Sequence, residues 1–530
     1  MKKLFVLTLV VVLGLSGFVQ AANNATIIQT GDDNEALITQ EDDGHNAGIG
    51  QLGDDNEAEI SQSGSSDTAL LLQDGDFNTA TIEQDATTAW AVGGQAGDDN
   101  FLEISQEGEG SQALVVQTGD SNFADVDQED DDNIASVAQT GDFNTVYVDQ
   151  SSDGSTATVE QTGDFNLTDI EQRGDGTTAT VSQTGDYNEA YVEQAGPGDV
   201  TTIAQDGDDN YATVEQTGVG ILGFPNTTTV SQTGFDNYAS VLQRTIGFIT
   251  GGNTATISQL GDENEAEVLQ ASIDLFPGGN TATVTQEGDG HDSLVSQDGT
   301  FNVAEVTQSS TLSSHIATVI QEGVSNVGRV RQMQGLTTSA TAIADLFQDG
   351  WLNEADIVQG DHSYARNGML ANVYQDGDRN YASIIQDRGP AFAWITQEGD
   401  SNEAYQTQDK DKEGHTMEAT IEQYGNRNYA EQTQVAREGF KAYIYQTGND
   451  NYATQLQDHG SNYPNSTWNV ATTTQTGNRN ESSIVQTGDV ATATLSQIGN
   501  DNFGYITQSG ATSVGNLEQL GNNNSGGIIQ

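Results

Sequence analysis

Glutamine recurs every 11 residues, without a slip, from Gln29 to Gln216. So strict a period leaves little choice of architecture, because each interval must be one copy of the same short structural unit. Alternate intervals carry a fuller signature, so the true unit spans 22 residues. In Gln29-Thr-Gly31-Asp-Asp-Asn34-Glu-Ala36-Leu-Ile-Thr-Gln40, glycine stands two residues after the first glutamine, asparagine five, alanine seven and the next glutamine eleven. The signature returns as Gln51/Gly53/Asn56/Gln62, Gln73/Gly75/Asn78/Gln84 and Gln183/Gly185/Asn188/Gln194, and ends as Gln519/Gly521/Asn524/Gln530, 21 times in all.

Each interval reads as one strand and one turn. Period-two alternation puts Asn34, Ala36, Ile38 and Gln40 on one face and Glu35, Leu37 and Thr39 on the other. In the neighbouring type of interval, Ala157, Val159 and Gln161 face inward while Thr156, Thr158 and Glu160 face out. The glycine after each glutamine opens a turn that needs positive φ or a tight backbone. The pattern predicts an all-β solenoid of about 21 stacked strand-turn-strand rungs, with two facing parallel sheets and cross-β, amyloid-like geometry.

Interior amides explain why the repeats must stack. A buried amide is costly unless its donors and acceptors are satisfied. Identical amides stacked at the inter-strand spacing of about 4.8 Å bond to the copies above and below. The positions expected in this structural ladder are Gln29, Asn34, Gln40, Gln51, Asn56, Gln62, Gln73, Asn78, Gln84, Gln183, Asn188, Gln194, Gln519, Asn524 and Gln530, with turn glycines at Gly31, Gly53, Gly75, Gly185 and Gly521.

Composition narrows the setting. A net charge of −64 with 34% hydrophobic residues would by itself suggest disorder, and the repeat overturns that reading. Lys2 and Lys3, the apolar run Leu4 to Leu15 and Val19-Gln20-Ala21 form a secretory signal with cleavage expected after Ala21. No second apolar span follows, so the exported chain is not expected to be membrane-embedded. There is no cysteine, so disulfides cannot staple it. Arg173 is the only basic residue between 22 and 243, which argues against nucleic acid as a partner. Four segments are expected: the signal peptide 1–21, regular repeats 22–216, repeats with loop insertions 217–480 and regular repeats 481–530. Intervening intervals lengthen to 16 residues at Gln216–Gln232, Gln243–Gln259 and Gln270–Gln286, and to 18 at Gln457–Gln475. Between Gln270 and Gln297 two intervals without the signature follow one another, with His291 where asparagine is expected. Either an extra strand exchanges the roles of the two sheets there, or the whole stretch is one loop.

The Gln-x-Gly-x-x-Asn-x-Ala-x-x-x-Gln interval resembles the curlin repeat of curli fibre subunits, over nearly the whole mature chain. The resemblance implies a secreted functional amyloid, exported through the periplasm and an outer-membrane curli pore, assembled with a curli nucleator and with itself into a cell-surface fibre for biofilm matrix and adhesion. Familiar curlin intervals also carry glycine just before the asparagine and serine six residues before the first glutamine. Here the first position holds Asp33, Phe77, Ser121 or Arg379, and the second Asn23, His45 or Asp67.

Capped ends are the rule for soluble solenoids, whereas here the ladder starts near the expected cleavage site and runs to Gln530, so open edges that template a further copy are expected. The residue after the turn glycine is aspartate in nine successive signature intervals, from Asp32 to Asp208, and asparagine in the last five, from Asn426 to Asn522. Stacked carboxylates about 5 Å apart repel by roughly 0.8 kcal/mol in water.

No enzyme, cofactor or metal site is expected. The histidines at 45, 291, 315, 362, 415 and 459 are scattered and read mostly as surface turn residues. The Gly-Gly-x-Gly-x-Asp nonapeptide of Ca²⁺-binding β-rolls is missing. The alternative is a soluble monomeric β-solenoid rod, ice-binding or adhesin-like. It would use outward threonine pairs at 156/158, 178/180, 227/229, 254/256 and 281/283, or outward aromatics such as Phe101, Phe123, Tyr211, Tyr238, Tyr381, Tyr429 and Tyr452.

Overall fold

A computed structural model describes residues 22–530 apart from 220–221, 248, 275–277, 311–312, 334–340, 361–367, 388, 411–415, 437–438, 459–468, 489 and 511. The signal segment 1–21 and His362, His415 and His459 lie outside the described residues. Every regular element among the described residues is a β-strand. The chain forms two compact units, one ending at Asn253 and one beginning at Thr254.

Each unit is a parallel β-solenoid. In the N-terminal unit ten strands, from Asn24–Thr30 to Thr227–Thr233, form a first sheet, and ten from Glu35–Gln40 to Tyr238–Gly247 form a second. The chain alternates between them, so each strand pairs with the equivalent strand one rung on. Thr156–Thr162 shows why: Ala157, Val159 and Gln161 are buried while the residues between them are not. Its register with Thr178–Thr184 sets Ala157 on Ala179, Val159 on Val181 and Gln161 on Gln183. A slip of one residue would turn every apolar side chain outward. The core is thin, built from pairs such as Ala157 with Val159 and Ala190 with Val192. Burial of one valine or isoleucine contributes about 1.5–3 kcal/mol, so the amides between them must not subtract from it.

The tight turn has two left-handed residues. Gly31 has φ 128° and Asp33 has φ 54°. A Cβ on Gly31 would sit 1.9 Å from the Gly53 carbonyl oxygen, so only glycine lets one turn rest on the next. The residue before the asparagine is left-handed throughout, including Phe77 (φ 59°), Ser121 (φ 58°) and Arg379 (φ 58°). That is the position glycine fills in familiar curlin intervals.

In the C-terminal unit twelve strands from Thr254–Leu260 to Ser525–Ile529 form one sheet and eleven from Glu265–Asp274 to Val514–Leu520 the other. Asp292–Thr300 is a true strand that pairs with Glu265–Asp274, Gln270 against Gln297. It is therefore the extra strand, not a loop, that occupies the interval between Gln270 and Gln297. From there on the tight turn follows strands of the second sheet instead of the first, as in Gln297-Asp298-Gly299-Thr300-Phe301-Asn302. Near the end of the unit Ala471, Ile484, Ala493, Leu495 and Ile506 form a buried cluster from both sheets, with Leu517 and Ile528 packed against it.

Candidate functional site

The chemistry of this fold is carried by its columns. Gln29 Nε2 donates to Gln51 Oε1 at 2.7 Å, Gln51 to Gln73 at 2.8 Å and Gln73 to Gln95 at 2.9 Å. The second sheet has the same column, Gln40 to Gln62 and Gln62 to Gln84, each at 2.8 Å. Gln183 and Gln194 donate to Gln205 and Gln216 at 2.8 and 3.0 Å. The remaining N–H is used across the core, where Gln51 donates to the Glu35 carbonyl at 2.9 Å and Gln73 to that of Glu57 at 2.9 Å. Both amide protons are thus satisfied without water, which makes the buried glutamine tolerable.

Asparagine ties the turns together. Asn34 Oδ1 accepts from both the backbone N–H and Nδ2 of Asn56 at 3.0 Å. Asn56 Nδ2 also reaches the Gly75 carbonyl at 2.7 Å, and Asn78 and Asn188 repeat the pattern to Gly97 and Gly207. One amide therefore fixes the start of a strand and the glycine turn of the next rung.

Aspartate after the glycine bonds as well. Asp32 N–H donates to Asp54 Oδ1 at 2.7 Å, and the chain of such bonds continues through Asp54, Asp76, Asp98 and Asp120. In the C-terminal unit Asn449, Asn478 and Asn500 make the identical bond at 2.7–2.9 Å.

The expectation of surface histidines is corrected for the three described ones. His45, His291 and His315 are all fully buried. They stand where a side-chain acceptor can take the backbone N–H of the next rung, as asparagine does elsewhere. His45 Nδ1 accepts from the Asp67 N–H at 3.3 Å while Nε2 meets the Glu41 carbonyl at 2.7 Å, and His291 Nδ1 accepts from the His315 N–H at 3.2 Å. Burial lowers the pKa of His291, which keeps the ring a neutral acceptor. Two carboxylates share this kind of position. Asp67 and Asp199 are buried, and burial raises each pKa to about 6.

A second glutamine column was missed at the sequence level. Gln406 donates to Gln432 and Gln432 to Gln455, each at 3.1 Å, in a core row where Ile384 and Ile484 stand on either side. Its signal is the Gln-x-Gln spacing of Gln406/Gln408, Gln432/Gln434 and Gln455/Gln457.

On the outer faces, Thr158 lies on Thr180 and Thr256 on Thr283, but Val200 interrupts the row beside Thr178. Aromatics stack in the same way: Phe101 on Phe123 at 5.0 Å, Tyr211 on Tyr238 at 5.3 Å and Tyr429 on Tyr452 at 4.7 Å. Among the described residues no three His, Asp or Glu side chains form a metal-binding group, and no helix is long and apolar enough to cross a membrane.

The end rungs present the same groups outward. Gln519 accepts from Gln497 at 2.8 Å and Gln530 from Gln508 at 3.0 Å, while Asn524 Oδ1 sits at the end of the asparagine column. Around them Val514, Leu520 and Ile529 are 63–75% exposed, and at the other end Ile28 and Leu37 are 44% and 53% exposed.

The curlin associated repeat family model matches residues 21–41, 43–64, 53–85, 97–129, 131–163, 164–196, 279–309, 418–458 and 467–499, together more than half of the chain. No curated protein matches it.

Proposed function

The chain belongs to the curlin-repeat family, the repeat of curli-type structural subunits, and on that premise we propose that it is secreted and polymerises into extracellular curli-type amyloid fibres. The observation that carries the reading is the direction of the amide columns. Each column glutamine donates one Nε2 proton to the rung above and accepts on Oε1 from the rung below. Such a face is complementary to its own opposite face, and a contact of that kind is open-ended. Export through the periplasm and an outer-membrane curli pore, seeding by a curli nucleator, and a role in biofilm matrix and surface adhesion follow from the family and belong to the same proposal. A repeat family of structural subunits on a repetitive solenoid gives no support to catalysis.

The test uses the chain from residue 22 to 530, desalted from denaturant at micromolar concentration. Thioflavin fluorescence, electron micrographs and fibre diffraction are expected to show fibrils with the strand and sheet spacings of about 4.8 and 10 Å. A lasting monomer would overturn the reading. If that monomer also showed thermal hysteresis, the registered outward threonines at 156/158 and 178/180 would point to an ice-binding rod instead.

A further inference from the structure

In the two long sheets four strands have an open edge among the described residues. Asn24–Thr30 pairs with Asn46–Leu52, and Glu35–Gln40 pairs with Glu57–Ser65. At the other end Val514–Leu520 pairs with Thr492–Ile498, and Ser525–Ile529 with Phe503–Gln508. In both end rungs a tight glycine turn joins the two strands: Gly31 to Asn34 in one, Gly521 to Asn524 in the other.

Resting on the fibre reading, we propose the register of the junction between copies. Asn24–Thr30 of the incoming copy pairs with Val514–Leu520, and its Glu35–Gln40 with Ser525–Ile529. Gln29 then lies on Gln519, Gly31 on Gly521, Asn34 on Asn524 and Gln40 on Gln530. Every bond of this junction already exists inside the chain. Gln497 donates to Gln519 within the solenoid, and Gln519 donates to the incoming Gln29 in the same way. Gly499 N–H donates to the Thr476 carbonyl, and the incoming Gly31 N–H donates to that of Leu520. Asn502 Nδ2 reaches the Gly521 carbonyl, and Asn524 Nδ2 reaches that of the incoming Gly31. Asn500 N–H donates to Asn522 Oδ1, and Asn522 N–H donates to Oδ1 of the incoming Asp32.

Charge selects this head-to-tail contact. Inside the N-terminal unit Asp32 lies beneath Asp54, a carboxylate on a carboxylate. At the junction the acidic pair Asp32 and Asp33 meets Asn522 and Asn523, which are neutral. On the outer faces Glu518 meets Ile28, and Glu35 meets Ser525, so no like charges oppose. Two N-terminal ends face to face would instead set Asp32 and Asp33 against their own copies. The competing seating places Asn24–Thr30 on Ser525–Ile529. It stacks the tight turn over the unlike connection between Gln508 and Val514, and leaves the edge of Val514–Leu520 bare together with the amide of Gln519.

The chain has no cysteine, so paired substitutions read the junction directly. Opposed residues on neighbouring strands stand about 4.8 Å apart, within disulfide reach. In oxidised fibres the doubly substituted Ile28→Cys, Glu518→Cys chain is expected to give a ladder of covalent multimers on a denaturing gel. The Ile28→Cys, Ile529→Cys chain reports the competing seating and is expected to stay monomeric. Cross-links in the second chain, or fibres with cross-links in neither, would overturn the register. Absence of wild-type fibres would overturn the assembly reading beneath it, a separate outcome. A cysteine-free check is Asn522→Asp with Asn523→Asp. It sets carboxylates against Asp32 and Asp33 and is expected to slow elongation at low salt by about fourfold per pair, with recovery at high salt. An unchanged rate would overturn the proposed contact.

Discussion

Replacing Asp67 with asparagine is expected to stabilise the N-terminal unit at neutral pH and leave it unchanged in acid. Asp67 is fully buried, and its Oδ1 accepts the Ala89 N–H at 2.8 Å. Its Oδ2 has no hydrogen bond and lies 3.2 Å from Nδ1 of His45. Burial is the main cause that raises the pKa from 3.8 to about 6; Asp85 adds to the rise, while the Ala89 N–H and His45 oppose it. The folded value is above the unfolded one, so the stability contribution is complete below about pH 4 and is lost as pH rises through 6. A shift of about two units at 1.36 kcal/mol each makes the loss about 3 kcal/mol by pH 7. Asparagine keeps the Oδ1 acceptor, carries no charge and offers Nδ2 to the His45 Nδ1. Repeat arrays open locally, so the measurement is native-state hydrogen exchange at Thr68 and Ala89 in the full chain, corrected for intrinsic exchange. Wild-type protection is expected to fall by up to about a hundredfold between pH 4 and pH 7.5, and the Asp67→Asn chain to lose most of that change. Protection that rises with pH in the wild type, or an undiminished pH dependence in the variant, would refute the reasoning.

Gly163→Ala places a Cβ 2.1 Å from the Gly185 carbonyl oxygen at a residue with φ 118°, and should cost about 2–4 kcal/mol, read as lost exchange protection confined to the adjoining rungs. Gln432→Ile breaks the inner column and strands the amides of Gln406 and Gln455, at a cost of about 2–3 kcal/mol. Changing all three to isoleucine should recover part of that loss in thermal melts, because the amides no longer leave one another half-satisfied, while the buried Thr473 Oγ1 still loses its Gln455 donor. Raising salt from low to about 0.5 M should increase exchange protection in the turns from Asp76 to Asp186 and leave those from Asn449 to Asn522 unchanged.

The solenoid was legible because its period is written in residues that have one structural use. A glutamine every 11 residues on the inward side of a strand meets its own copy one rung on, and Gln139 on Gln161 or Gln150 on Gln172 are such pairs. The interval from Gln270 to Gln297 was not legible, since its length suits a loop or a strand equally. What decides it is local: the backbone of His291 donates to Asn264 Oδ1, so the histidine completes the asparagine column and a strand can start behind it. The buried histidines escaped notice because their position tolerates many residue types. Asn133, Ser155 and Thr177 are buried in equivalent places, and so is Ala89, which has no side-chain acceptor, so what these positions share is burial rather than one residue type. The left-handed residue before each asparagine is equally hidden. Backbone strain of about 1–2 kcal/mol is borne there by aspartate, phenylalanine or arginine, so composition gives no sign of it. Part of that strain is offset by stacking, as where Phe143, Phe165 and Tyr187 stand 4.9 and 4.8 Å apart.

Charge and register are kept apart in this fold, and the exceptions show why. Along the turns aspartate and asparagine accept the same backbone bond, at 2.7 Å for Asp32 to Asp54 and 2.7 Å for Asn500 to Asn522. Choosing the acid there costs no hydrogen bond. It adds only repulsion between exposed neighbours, which salt can screen. A carboxylate inside the column is different, because burial rather than a neighbour sets its protonation. Asp67 and Asp199 are therefore places where acidity acts on folding itself, whereas the acidic turns act on how strands approach one another. If that division holds, salt at fixed pH and acid at fixed salt should protect different rungs of the N-terminal unit: salt the turn amides of Asp76 to Asp186, acid those of Ala89 and Asn226, whose N–H groups those two buried carboxylates accept.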